Sequence, residues 1–567
     1  MKLALVLILA GAASATIRDA CASGCTYATA QAAIDAATGG DAVELKAGEN
    51  FGRIHVVKSN ITVRSSRWRE LPPPGYRVTP SHLPLMPTIT GAGDTAVRVG
   101  HDAFFVTKDS VNTTTNQIGL TSTSFSLTNS AVVVGASVLF DINESCGACA
   151  VAALPAPLQE RTRYYIASVS GSLITVSLTP GGAAVDLTSI GSSDNASDYA
   201  RPSVLIFDEP KNVTIQGIHI TSTLGTYQPN LVVIGSASNN MPEVAGSNGT
   251  TLQSVIIRGP STDFGDHVRD AVQVLSSTHV TIADSFIHRI FETQLRESHA
   301  IAVIGGDRIV VRNNYISAAG IPLLTGGQNS AERRVTTNFT FTGNFVEKPG
   351  YMAYKSGAGA PSGSCYYGGA YDTSGAFYRN TSPSPNTCAN GACYICQSNS
   401  TWAQDTGAVY RSASYGTKNL FELKDCEACF IHGNYLSGGY AGPDGGQGWC
   451  CGISLITAPP GSGAGSGYIH AEGVTFSDNW IHRSYSGFWL AAALYTPATW
   501  DNLPPARNIV MENNLLTGLA EHPALAQWSD HTSSPPFCAS IATGYAGLVF
   551  ARNTCRPVSG SIGLYGI

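Results

Sequence analysis

The chain has 567 residues, room for several ordinary domains or for one long repetitive body. Charged residues make up 13%, against roughly 25% in typical soluble domains, and Gly is abundant at 60 residues. That profile suits turn-rich β structure. A net charge of −6 with no basic stripe excludes nucleic acid as a partner, and leaves an acidic polysaccharide only if a local basic patch exists.

Residues 1–15 read as a secretory signal: Lys2, the apolar run Leu3 to Ala10, then Ala13-Ser14-Ala15 as a cleavage site. No later stretch approaches ~18 uninterrupted apolar residues, so no membrane span is expected. Fourteen cysteines fit a secreted or periplasmic protein with disulfides. Cys21/Cys25 and Cys538/Cys555 are local pairs. Cys146/Cys149 and Cys426/Cys429 have the C-x-x-C spacing of either a disulfide or a zinc site.

Ala30, Ala33, Ile34 and Ala37 fall at i, i+3, i+4 and i+7, a short one-faced helix that Gly39-Gly40 stops. AVELKAG and NITVRSS follow as strands. From 106 to 200 the pattern becomes Thr/Ser-rich with strand-like AVVVGASVLFD, YYIASV and LITVSL, an inserted β module. Coils are expected to resume at VLIFDEPKNVTIQGIHIT. AVQVLSSTHVTIADSFI (271–287) then aligns with AIAVIGGDRIVVRNNYI (300–316), so that Val272 matches Ile301 and Phe286 matches Tyr315 at an offset of 300 − 271 = 29. A β-type period of this size marks a solenoid, whose repeats bury apolar faces by stacking. The phrases VVRNNYIS, FTFTGNFVE, CFIHGNYLS, VTFSDNWIH, IVMENNLLT and LVFARNTC carry Asn314, Asn344, Asn434, Asn479, Asn514 and Asn553 at one turn. There an Asn tolerates left-handed backbone and can pair with the coils on either side.

The opening AQAAIDAATGGDAVELKAGENF and these repeats resemble the right-handed parallel β-helix proteins of the pectin lyase-like superfamily. The likeness covers 27–100 loosely and 201–555 well. Known members include polysaccharide lyases, polygalacturonases and phage tailspikes. It implies an all-β fold, a right-handed parallel β-helix with an N-terminal cap helix and a small inserted β module. The expected division is 1–15 signal, 16–105 cap and first coils, 106–200 insert, and 201–567 main helix with a long loop insertion at 350–416.

Candidate chemistry follows from aligning AVQVL (271–275), AIAVI (300–304), GIPLL (320–324), LFELK (420–424), GISLI (452–456) and GFWLA (487–491). Second and fourth residues are apolar and point inward; the others point outward. Ala300, Ala302, Ile304, Gly320, Pro322 and Leu324 then make a flat floor. Gln273 flanks it on one side, Glu422 and Lys424 on the other, with Ser454 and Trp489 beyond, and Arg269, Asp270 and His299 stand at the strand entrance. The 350–416 insertion brings aromatics, among them Tyr354 and Trp402, which suit sugar faces. A polysaccharide lyase reading assigns the base to Lys424, the carboxylate clamp to Arg269 or Arg296 and proton exchange to His299. Hydrolysis needs paired carboxylates instead, Asp270 with Glu422 or Asp263 with Asp266, and the latter pair equally suits Ca²⁺. The competing class ahead of the hydrolase is a non-catalytic adhesin or cell-surface carbohydrate-binding protein, recognised by failure of Glu422, Lys424, His299 and Asp270 to converge. Monomer and homotrimer both remain open.

Overall fold

The alternation at 271–287 is realised as parallel pairing. Val272 lies opposite Ile301, Val274 opposite Val303, Ile282 opposite Val311 and Phe286 opposite Tyr315. The structure is a computed structural model. It describes residues 15–93, 95–100, 104–106, 108–122, 132–142, 153–159, 162–192, 203–207, 210–223, 227–235, 247–259, 267–290, 294–318, 320–326, 335–348, 370–371, 377–378, 387–389, 392–396, 402–405, 414–416, 419–438, 451–457, 471–484, 486–492, 506–519, 537–541, 545–557 and 563–566. Among these, parallel rungs build a 26-stranded sheet and an 11-stranded sheet, which a chain turning the same way at every coil must form. The fold is a right-handed parallel β-helix, the hand that parallel crossovers take.

The inward row confirms the alternation. Val272, Ile301, Leu323, Phe421, Ile453 and Phe488 are all fully buried in one continuous core. Phe421 meets Phe341 and Phe476 edge-on at 5.3 and 5.7 Å, so aromatic contacts run from coil to coil inside the solenoid.

The asparagine ladder is present, with its two tasks divided between neighbours. Left-handed backbone belongs to the residue before each ladder position: Asn313, Gly343, Gly433, Asp478, Asn513 and Arg552, with φ between 52° and 64°. The ladder side chains themselves turn inward. Asn434 Nδ2 donates to Phe341 O at 2.9 Å and to Asn479 Oδ1 at 2.9 Å, while Asn434 Oδ1 accepts from Asn344 N at 2.9 Å. Each amide thus satisfies corner groups that the interior would otherwise leave without partners.

The helix forms at Ala30–Ala36, with Thr29 accepting from Ala32 N as its N-cap. It ends earlier than the glycine pair suggested, because Ala37 turns extended. Ala30, Ala33, Ile34 and Ala37 all join the main core beside Ala20 and Val43.

A separate 8-stranded antiparallel sheet runs from Phe104–Val106 to Ser203–Phe207. The segment VLIF, expected to restart the coils, belongs to this sheet: Val204 pairs with Phe105 and with Asp141. The coils restart at Lys211–Gln216. Disulfides join Cys21–Cys25, Cys426–Cys429 and Cys538–Cys555, so the second of these C-x-x-C pairs is a cross-link and not half a zinc site. Cys146 and Cys149 lie outside the described residues.

Candidate functional site

The outward row of the large sheet carries the predicted side chains. Gln273 lies opposite Ala302, Glu422 opposite Ser454, and Ser454 opposite Trp489, as aligned from sequence. The one slip is at 320–324: Ala302 pairs with Leu324, and Leu324 with Glu422, so Leu324 holds the place expected for Pro322. Apolar residues at both 321 and 323 allow either alignment, and a two-residue shift keeps every side chain on its own face.

The floor is not open. Ala302 is 1% exposed, Leu324 7%, and Glu422 and Ser454 0%. Outside the row, a two-stranded parallel sheet pairs Gln294–Glu297 with Ser414–Gly416. This joins the end of the long insertion to the segment leading into His299.

Two polar clusters stand along this row. In the first, Asp270 pairs in register with His299, and Asp270 Oδ1 lies 2.7 Å from His299 Nδ1. Ala271 and Val272 both enter the core, as do Ala300 and Ile301, so the alternation breaks just after Asp270 and His299. Asn230 shows where the carboxylate goes. Oriented so that its nitrogen donates, its amide reaches Asp270 Oδ2 at 3.1 Å and Gln273 Oε1 at 3.3 Å, which puts Asp270 on the outward side with Gln273. Asp270, His299 and Gln273 are 2, 5 and 7% exposed. In the tautomer whose Nδ1–H donates to Asp270, Nε2 is the acceptor nitrogen of His299. Arg269 is half-buried beside this cluster. Asn230 was missed in the sequence because its phrase, TYQPNLVVIG, lies 270 − 230 = 40 residues ahead of Asp270, outside the shorter period.

The second cluster centres on Glu422. Its Oε2 accepts from Asn419 Nδ2 at 3.1 Å and its Oε1 lies 3.4 Å from Lys424 Nζ. Fully buried Lys348 donates from Nζ to Gly320 O at 2.6 Å and reaches Asn419 O at 3.5 Å, which fixes the turn that presents Asn419. Ser454 Oγ is buried one rung away, with no hydrogen-bond partner among the described residues.

The clusters are well separated. Glu422 lies three strands across from Asp270, about 14 Å at ~4.8 Å per strand, and three residues further along, about 10 Å. Paired carboxylates in glycosidases stand about 5–9.5 Å apart, so Asp270 and Glu422 do not form such a pair. Lys424 is likewise two strands and five residues from the His299 position, about 10 Å across and 16 Å along. These two residues cannot serve one glycosidic bond. Trp489 is half-buried one rung beyond Ser454. Arg296 and Trp402 are placed by backbone only, in strands Gln294–Glu297 and Trp402–Asp405. Tyr354, Asp263 and Asp266 lie outside the described residues. Among the described residues, no three His, Cys, Asp or Glu gather as a metal-binding set, and no helix is long and apolar enough to cross a membrane.

Fold and clusters together define a class: a right-handed parallel β-helix with a buried Asp–His pair on the outward row of its large sheet. No family model and no curated protein matches the chain. Among solved structures it is similar to a polygalacturonase from Erwinia carotovora ssp. carotovora, at 9% identity over 98% of this chain and 97% of that one, TM-score 0.35. It is also similar to the tailspike gp61 of Pseudomonas phage phi297, at 11% identity over 94% of this chain and 66% of that one, TM-score 0.26. A third is the gp54 tailspike of Acinetobacter baumannii bacteriophage AP22, in complex with a capsular saccharide, at 8% identity over 94% and 69%, TM-score 0.25. The match thus spans about two thirds of the tailspikes' length, and the fold assignment rests on the strand pairing of this chain itself.

Proposed function

We propose that the chain is an exported carbohydrate-active protein that cleaves an acidic polysaccharide by β-elimination at the Asp270–His299 pair. The observation that carries this reading is the 2.7 Å contact between Asp270 Oδ1 and His299 Nδ1, in a polar cluster that packing does not require. His299 Nε2 removes the proton next to the uronate carboxylate, Arg269 neutralises that carboxylate, and the glycosidic oxygen leaves. Asp270 stabilises the imidazolium that forms. Lys424, the base expected from sequence, becomes with Glu422 part of a distal polar cluster that can orient a more remote sugar. Export agrees with the disulfides, which persist in oxidising compartments.

The test is incubation with pectate, alginate, glycosaminoglycans and neutral glycans, following near-ultraviolet absorbance of unsaturated ends and total reducing ends. Elimination gives both signals, and His299→Ala lowers kcat by about 10²–10⁴-fold. Reducing ends without absorbance indicate hydrolysis, and full elimination activity in His299→Ala removes it from the mechanism. A second reading, binding without cleavage, draws on the burial of the outward row and the failure of Lys424 and His299 to converge. It predicts retention of a glycan with neither signal.

A further inference from the structure

Far from the Asp–His pair, the smaller sheet carries a second outward row. Register runs Ile256, Phe286, Tyr315, Phe345, Tyr435, Trp480, Leu515. The rings form a ladder: Phe286 stacks on Tyr315 at 4.3 Å, Phe345 on Tyr435 at 4.5 Å, and Tyr435 meets Trp480 edge-on at 5.0 Å. The chain covers one end of this ladder itself, where Leu71, Val78 and Met86 pack over Ile256, Phe286 and Tyr315. The other end is open: Trp480 is 43% exposed, and Tyr435 is half-buried.

The open end is built, not merely bare. Trp480 Nε1 donates to Thr517 Oγ1 at 2.7 Å, and Thr517 Oγ1 lies 2.9 Å from His482 Nδ1. With the Tyr435 edge contact, this fixes the indole before anything binds, so little ordering cost remains. The neighbouring row, two residues along, reads Glu347, Ser437, His482, Thr517, Arg556. Its acidic member lies toward the covered end and is occupied, since Tyr315 Oη donates to Glu347 Oε2 at 3.0 Å. Its basic member, exposed Arg556, lies at the open end, two rungs or about 10 Å from the Trp480 coil.

We infer that the Tyr435–Trp480 face, with Thr517, His482 and Arg556 beside it, is a second binding surface for an acidic polysaccharide, separate from the site of cleavage. The chemistry matches on both counts. A pyranose ring offers a C–H face to a fixed indole and hydroxyls to Thr and His, and a uronate carboxylate suits an exposed guanidinium one or two sugars on. The strip is one ring wide and runs along the solenoid axis, which fits an extended chain better than the broad patch a protein partner needs.

This inference shares the polysaccharide class with the reading above and is independent of its chemistry. The experiment is affinity electrophoresis of the full chain in gels containing pectate, alginate or a neutral glycan, with wild type, Trp480→Ala, Trp480→Phe, Arg556→Ala and His299→Ala. Expected is retardation by an acidic glycan that Trp480→Ala weakens about tenfold, Trp480→Phe partly restores and Arg556→Ala weakens most at low salt. His299→Ala is expected to be retarded as the wild type, so loss of cleavage and loss of this surface read out separately. Unchanged retardation of Trp480→Ala, retardation by neutral glycans alone, or none by any acidic glycan would overturn the inference. So would a wild-type oligomer that Trp480→Ala converts to monomer, since a second copy would then be the occupant.

Discussion

Asp425 is a buried carboxylate in the bend between strands Phe421–Leu423 and Cys426–Glu427, and Gly326 makes room for it: a Cβ there would stand 2.4 Å from the carboxylate. Burial pushes its pKa up to about 7, against the opposing pull of the Thr336 N–H at 3.3 Å and of Lys424. The folded chain therefore holds this proton more tightly than the unfolded chain, where an Asp titrates near ~4. The stability it contributes is complete below about pH 4 and is lost as pH rises toward about 7, on the order of 4 kcal/mol in all. Asp425→Asn keeps the oxygen that accepts from Thr336 and removes the titration. Between about pH 5 and pH 8 its melting temperature is expected to fall less than that of the wild type. Parallel curves for the two proteins would show that another group titrates. Nothing in the sequence marks Asp425 as buried, because it falls just past the aligned segment LFELK (420–424). Glu422 is the same lesson reversed: its outward direction was legible, but its complete burial was not.

At the scale of the single coil, most of the architecture was legible, because alternating apolar residues state both strand and face. The match of Val272 with Ile301 and of Glu422 with Ser454 and Trp489 needed nothing beyond that periodicity. It failed at GIPLL, where two registers bury equally well and only the neighbouring coils decide. The Asp270–His299 pairing was legible, but the break in alternation that turns Asp270 outward was not, since Ala271 fits either face. Trp480 was read as part of a corner phrase, and its exposure depends on where the 68–86 segment stops covering the ladder. The corner itself gives a graded prediction. Asn434 sits in mid-ladder, 2% exposed, whereas Asn553 at the end is half-buried. Asn434→Ala removes bonds to both neighbouring coils and leaves buried backbone groups without partners, a loss of roughly 3 kcal/mol. Asn553→Ala, where water can replace the amide, is expected to cost about 1 kcal/mol or less. Chemical denaturation of both variants checks the order, and equal losses would mean that ladder position does not set the contribution.

In the whole molecule, the solenoid is continuous across its largest interruption. Ile61 pairs with Val213, Thr88 with His219 and Val97 with Val232, so the coils before and after the antiparallel sheet stack directly on each other. The first and last strands of that sheet in chain order, Phe104–Val106 and Ser203–Phe207, pair with each other, which returns the chain to the point where it left. Val106, Ile118, Phe140, Ile166 and Ile174 form a core of their own, with Phe140 and Tyr164 in edge contact at 5.6 Å. Coil stability depends on neighbouring rungs, and the rungs at 61 and 213 lose no partner if the excursion is removed. Replacing residues 101–209 by a short Gly/Ser linker is therefore expected to leave a cooperatively melting parallel β protein. Residues 101–209 expressed alone are expected to fold with an antiparallel β signature. Circular dichroism with thermal denaturation of each piece decides the matter. If the linked chain fails to fold while the wild type does, contacts between the module and the coils hold the solenoid together, and the rungs are not self-sufficient at that junction.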